Sequence, residues 1–322
     1  MIPVLVVSAL ASLLGVGLIL PILRRAQIMD IPNARSSHEA PTPRGGGVAV
    51  VVAVFVGVLV ASLRGLQMDP PSVLGVILVF AALGLWDDLH GLNVGFRLLV
   101  QLALAGVAAA AVVGEGSLVG LVTMVIATVW LVGYTNAFNF MDGVNGISAL
   151  NAALAGGWYV YLGIAYGIDS AAILGASVAG AALGFLPWNA PRAQVFLGDV
   201  GSYALGVTLG ILALLTWHGG VRLIVAIAPL VIYVADTGWA LAKRLLAGRA
   251  WQQAHREHVY QQFTDSGWPH LAGAALVALF GCLVCLSTLI LGNFSPFAVL
   301  VLCAGVASVY LASPRILKVG QS

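Results

Sequence analysis

The sequence predicts an all-α, polytopic integral membrane protein with about eleven transmembrane helices in one domain spanning residues 1–322. Two observations predict the class. Hydrophobic residues make up 61% of the chain and charged residues 8%, whereas a soluble domain carries about 25% charge. Uncharged stretches such as Ile2 to Leu23, Gly116 to Met141 and Gly143 to Ile168 exceed the ~18 residues that cross a bilayer. A third observation orients the helices: the basic residues fall almost wholly on one set of connections.

In chain order the expected spans are 2–23, 46–63, 71–86, 97–114, 117–137, 147–166, 170–188, 200–217, 221–242, 270–291 and 294–312. The first lacks the cationic start and small-residue cleavage site of a secretory signal, so it is expected to remain as a helix. With the N-terminus on the periplasmic side, the loops near 24–45, 87–96, 138–146, 189–199 and 243–269, and the C-terminal tail, are cytoplasmic. These carry twelve of the fourteen lysines and arginines, leaving only Arg64 and Arg222 outside, as the positive-inside rule requires. Asp87, Asp88, Asp142 and Asp199 also fall at inward helix ends, with His38, His90, His255 and His258. That rule does not place carboxylates, so their gathering points to chemistry at the cytoplasmic face. Cys282, Cys285 and Cys303 lie in late apolar stretches and suggest neither a disulfide framework nor a zinc module.

Five polar segments carry the candidate chemistry. The first inward loop holds Arg35, His38, Pro41, Thr42, Pro43, Arg44 and three glycines, a compact turn or a basic loop that sets topology. Trp86-Asp87-Asp88-Leu89 closes the third span; adjacent carboxylates suit a general base or a magnesium site, and solvated loop acids are the plainer alternative. At the end of the fifth span Asn136, Asn139 and Asp142 recur every three residues, followed by Gly143, Asn145 and Gly146, where backbone can approach a phosphate. Asp199 sits between Gly198 and Gly201, free to take a metal or to cap the eighth span. His255, Arg256, His258, Tyr260 and Gln261 lie in the longest inward loop, where cationic donors could hold a pyrophosphate.

Taken in order, these segments resemble the polyprenyl-phosphate N-acetylhexosamine-1-phosphate transferase family, glycosyltransferase family 4, and within it the branch that initiates O-antigen. The resemblance covers Asn33 to Gln261 and rests on Pro-Thr-Pro-Arg-Gly-Gly, Asp-Asp, Asn-x-x-Asn-x-x-Asp-Gly, Gly-Asp-x-Gly-Ser and His-x-x-His-x-Tyr-Gln. It implies a multi-pass enzyme of the bacterial inner membrane. Its partners would be a UDP-N-acetylhexosamine, undecaprenyl phosphate and the membrane lipid, with no nucleic acid and with a homodimer allowed. The implied cofactor is magnesium, with manganese as the alternative. Asp199 would ligate the metal; Asp87 and Asp88 would sit beside the lipid phosphate, Asp87 as base or orienting acid. Asn136, Asn139, Asp142 and Asn145 would line the nucleotide-sugar site, and His255, Arg256 and His258 would contact its phosphates. This chain departs from the family pattern at Asn145, where a second aspartate is common. A transporter, or a phosphotransferase of the CDP-alcohol type, remains the alternative; the first would need ionisable groups along a path through the membrane, where almost none lie except Asp236, which could reach the same inward site or pack against a polar neighbour.

Overall fold

The computed structural model describes residues 1–32, 40–114, 117–248, 257–291, 295–317 and 319. Among them, nine helices are long and apolar enough to cross a membrane. The helices are α1 (Ile2–Arg25), α2 (Gly47–Leu63), α3 (Ser72–His90), α4 (Val94–Val113), α5 (Leu118–Met141), α6 (Ile147–Tyr166), α7 (Asp169–Asn189), α8 (Gly198–His218), α9 (Leu223–Ala226), α10 (Val231–Leu246), α11 (Val259–Asp265), α12 (His270–Leu291) and α13 (Pro296–Ile316). Of these, α2 is the one apolar helix shorter than the rest of the spanning set, at 17 residues.

The first helix shows why such sequences form a bundle. Its buried residues Val4, Ser8, Ser12, Val16 and Leu20 recur every four positions and face α2 and α7. The opposite face is equally apolar: Ile2, Leu10, Leu14 and Leu18 are exposed. A surface of that kind is stable against lipid and not against water. Lipid provides no hydrophobic drive between helices, so close backbone approach and hydrogen bonds hold them together. Gly180 and Gly184 of α7 supply the first: a Cβ on either would overlap a carbonyl of α1, that of Leu5 or of Ala9. Ser8 supplies the second, donating to the carbonyls of Ala53 (2.7 Å) and Ser177 (2.8 Å) and so tying three helices.

The span expected over 221–242 differs. Chain 223–246 is α9, a 3₁₀ turn at Ala228–Leu230 and then the 16-residue α10. Pro229 has no N–H to continue a helical ladder, which accounts for the break. The long loop expected over 243–269 is likewise partly helical, since α10 runs on to Leu246 and α11 occupies Val259–Asp265.

One end of the bundle is elaborated. A two-stranded antiparallel ribbon, β1 (Met29–Asp30) with β2 (Thr42–Pro43), pairs Asp30 with Thr42. From β2 the chain runs beside residues 196–197: Phe196 N–H donates to the Pro43 carbonyl (2.8 Å), and the N–H groups of Gly46 and Gly47 donate to Phe196 (2.9 Å) and Leu197 (2.8 Å). That pairing brings the starts of α2 and α8 together. Gly47 and Gly201 touch there so closely that neither has room for a Cβ.

Candidate active site

The polar helix ends meet around a cavity of about 340 Å³. Asp30 and Arg44 come from the ribbon, Asp88 from the end of α3, Asn139 and Asp142–Asn145 from the end of α5, and Asn189 from α7. Phe196–Asp199 come from the start of α8, Gln261 from α11 and His270 from α12. The sequence places five separate connections on one face, and residues from all five line this cavity.

The predicted residues divide into three groups. Asp88, Asn139, Asp142, Asn145 and Asp199 line the cavity. Asp87, Asn136 and His258 are not among its lining residues. His255 and Arg256 lie outside the described residues.

Within the first group, Asn139 donates to the Asp199 carboxylate (2.6 Å) and to the Ser202 hydroxyl (2.9 Å), orienting the acid at the mouth of α8. Asn145 donates to the Pro191 carbonyl (3.1 Å), and the backbone N–H of Gly146 donates to the Asn189 side chain (2.6 Å). Gly146 has φ +85°, a left-handed conformation that suits glycine and starts α6. Gly143 is packed against the Tyr260 ring, whose hydroxyl donates to the Phe140 carbonyl (3.0 Å), so α11 is docked on the same turn. Asp142 lies just beyond α5. Burial among these helix ends raises its carboxyl to about 6, with the charge of Asp88 adding to the shift and the Ser148 hydroxyl opposing it.

Asp88 is 3% exposed, and its two oxygens accept the backbone N–H groups of Asp199 (3.1 Å) and Val200 (3.0 Å). It therefore caps α8, whose own first residues provide no side-chain cap. Arg44 reaches it from the ribbon, with Nε at 3.9 Å and its guanidinium donating to the Asp88 carbonyl.

The second group points elsewhere. Asp87 accepts from the Leu92 N–H (2.7 Å), Arg97 (3.1 Å) and the Tyr203 hydroxyl (2.7 Å). Asn136 donates to Gln101 (2.6 Å) and bridges α5 to α4. His258 is 3% exposed and meets Asp236 through Nδ1 (3.2 Å). Asp236 is equally buried, at 1%, and also accepts the Val259 N–H (3.1 Å) and the Tyr310 hydroxyl (2.6 Å). It binds α10, α11 and α13 together rather than reaching the cavity.

Sequence reasoning does not single out Asp30, Asn189 or His270 as lining residues, nor Arg97 and Tyr203 as partners of Asp87. Tyr203 does carry a signal: a tyrosine one turn beyond Asp199 in an apolar span must find a partner for its hydroxyl.

The lining sets four carboxylates, Asp30, Asp88, Asp142 and Asp199, against the Arg44 guanidinium. An anionic substrate enters such a cavity only with a cation. Among the described residues no group of three or more His, Cys, Asp or Glu side chains could hold a metal by itself. A hard divalent ion needs less than that, because magnesium commonly takes one or two carboxylates and completes its shell with substrate phosphates and water. The Asp199 carboxylate, oriented by Asn139, is an oxygen donor of the kind such a shared site uses.

Comparison with known proteins supports the resemblance. The pattern described as Glycosyl transferase family 4 matches residues 70–217. A Bacillus subtilis protein named as a probable undecaprenyl-phosphate N-acetylglucosaminyl 1-phosphate transferase is 27% identical over 304 residues, 89% of this chain and 85% of its own. A Symbiobacterium thermophilum phospho-N-acetylmuramoyl-pentapeptide-transferase is 29% identical, covering 81% of this chain and 86% of its own. A Mycolicibacterium smegmatis decaprenyl-phosphate N-acetylglucosaminephosphotransferase is 28% identical, covering 85% and 77%.

Proposed function

The chain belongs to glycosyl transferase family 4, and from that membership we propose that it moves an N-acetylhexosamine 1-phosphate from a UDP-sugar to a polyprenyl phosphate. Undecaprenyl phosphate is the acceptor we favour, and initiation of O-antigen or a related cell-surface polysaccharide the role. The observation that supports this reading is the convergence of Asp88, Asn139, Asp142 and Asp199 on one cavity beside Arg44. A bond forms between a lipid phosphate oxygen and the phosphorus attached to the sugar, while the bond from that phosphorus to uridine monophosphate breaks.

Asp199 would hold a magnesium ion, which when bound neutralises the approach of two anions and polarises the phosphoryl oxygens. Asn139 holds the Asp199 carboxylate in place. Arg44 supplies a cationic donor at the rim. Positioning and electrostatics carry most of the barrier reduction in phosphoryl transfer, so no covalent enzyme intermediate is required. The twelve-to-two distribution of basic residues supports a cytoplasmic cavity in the bacterial inner membrane, where the nucleotide sugar is available.

The test is incubation of purified protein with undecaprenyl phosphate, magnesium and a panel of UDP-N-acetylhexosamines. We expect a lipid-linked diphosphate sugar and released uridine monophosphate with at least one donor. No product with any donor would refute the reading. Orientation is tested separately with Ser266→Cys in intact cells, which should resist a membrane-impermeant thiol reagent applied from outside.

A further inference from the structure

We propose that Asp87 and Asp88 are positioning residues, which hold the first turn of α8 at two points flanking Asp199, and that neither acts as a base. The inference rests on the reading of Asp199 as a metal-binding carboxylate.

The geometry comes from the way α3 ends. Two adjacent residues on a helix point about 100° apart, so the two carboxylates take different partners. Asp88 accepts the N–H groups of Asp199 and Val200 at 3.1 and 3.0 Å. Asp87 accepts the hydroxyl of Tyr203, one turn further along α8, at 2.7 Å. Asp199 lies between these two grips. Contact between α3 and α8 is close enough that a Cβ on Gly84 would overlap the Asp199 carbonyl, and a Cβ on Gly198 would sit 2.7 Å from Asp88 Oδ2. Gly198 also has φ +75°, which a side chain resists.

A second tie fixes the other side of Asp87. Arg97, on the first turn of α4, meets it at 3.1 Å with its own side chain 17% exposed, and its guanidinium lies 5.8 Å from the Tyr203 ring centre. The Leu92 N–H completes the set at 2.7 Å. A carboxylate holding a guanidinium, a phenol and an amide at once is poorly placed to accept a further proton from a substrate. Nor does the chemistry ask for one. A phosphate monoester has its second pKa near 6, so at neutral pH the attacking lipid oxygen is already ionised. One P–O bond forms, another breaks, the leaving uridine monophosphate keeps the electron pair, and no proton moves.

Three variants of the full chain test the clamp: D87N, D87N combined with R97Q, and Y203F. D87N leaves the half-buried Arg97 without its paired carboxylate, whereas the double variant leaves a neutral pair of similar size. We expect D87N to lose at least tenfold in kcat and the double variant to recover at least threefold of that loss. In metal-free protein the thermal midpoint should follow the same order, with the double variant regaining at least half of the decrease. Y203F removes one grip and no carboxylate; it should raise the magnesium concentration for half-maximal rate at least threefold while the acid limb of the pH profile stays in place.

A double variant no more active and no more stable than D87N would overturn the proposal, as would loss of the acid limb in D87N, the signature of a base. An unchanged magnesium requirement in Y203F would also overturn it, because a tie that merely stabilised the fold would leave the metal response of the folded protein alone. If the wild-type chain made no lipid-linked product, the transferase reading would fail, and the thermal midpoints would still decide whether the clamp exists.

Discussion

Asp88 and Asp236 perform the same local task at two places. Each is buried and each accepts backbone N–H at the start of another helix, two groups from α8 for Asp88 and the single Val259 N–H of α11 for Asp236. Each region also ties in a tyrosine hydroxyl, Tyr203 on Asp87 and Tyr310 on Asp236. What differs is what the clamped helix carries. The start of α8 presents Asp199 to the cavity; α11 presents Gln261 at the wall while His258 turns inward to Asp236. A buried acid near a site is therefore not evidence of acid–base chemistry, and its partners decide what it does.

The comparison is sharpest at the residue that α8 delivers. Asp199→Asn should reduce turnover at least 100-fold, about 2.7 kcal/mol of transition-state stabilisation, because an amide is a poorer ligand for a hard cation than a carboxylate. The protein should remain folded and membrane-inserted, and the check is a magnesium titration of the rate. Near-normal turnover with an unchanged magnesium requirement would leave Asp199 as a helix-start residue with no metal role.

Next in size is Asp142→Asn, with a loss of at least tenfold, about 1.4 kcal/mol. Its carboxyl is raised from 3.8 to about 6, so the charged form prevails above that pH and is lost as pH falls through it. Wild-type activity should therefore fall on the acid side near pH 6, and the residual activity of Asp142→Asn should lack that limb. A variant that kept the limb would assign it to another group.

The α11 clamp should matter less to turnover and more to stability. Asp236→Asn keeps an acceptor but weakens the bonds to His258, Val259 and Tyr310, and a charged hydrogen bond contributes about 1.5–3 kcal/mol. We expect a lower thermal midpoint and less than a tenfold loss in kcat. A 100-fold loss of kcat in a protein of unchanged thermal midpoint would place this acid in the chemistry after all and erase the distinction drawn above.

The smallest effect is expected at Asn145→Asp. The new carboxylate loses the donor to the Pro191 carbonyl, but its position is partly open to the cavity, which lets the added charge stay solvated. Activity should stay within about fivefold, ~1 kcal/mol, with the pH optimum moved upward by the added negative charge beside Asp142. A pH–rate profile of the variant is the check.

Much of this protein is legible in its sequence alone. Composition decides between lipid and water as the surrounding medium, because only lipid tolerates the apolar outer face that Ile2, Leu10, Leu14 and Leu18 present. The order of the polar segments gathers them on one face, since helices joined by short connections alternate in direction and return every second loop to one side. What only the tertiary structure decided is which motif residues act together. Asn136 and Asn139 are three apart and nominally share a face, but three residues turn a helix by about 300°, leaving the side chains about 60° from alignment. That angle suffices to send Asn136 to Gln101 on α4 and Asn139 to Asp199 on α8. Asp87 and Asp88, adjacent in the chain, likewise part company between Arg97 with Tyr203 and the start of α8. Spacing along a helix specifies an angle, and the angle acquires chemical meaning only when the neighbouring helices are in place.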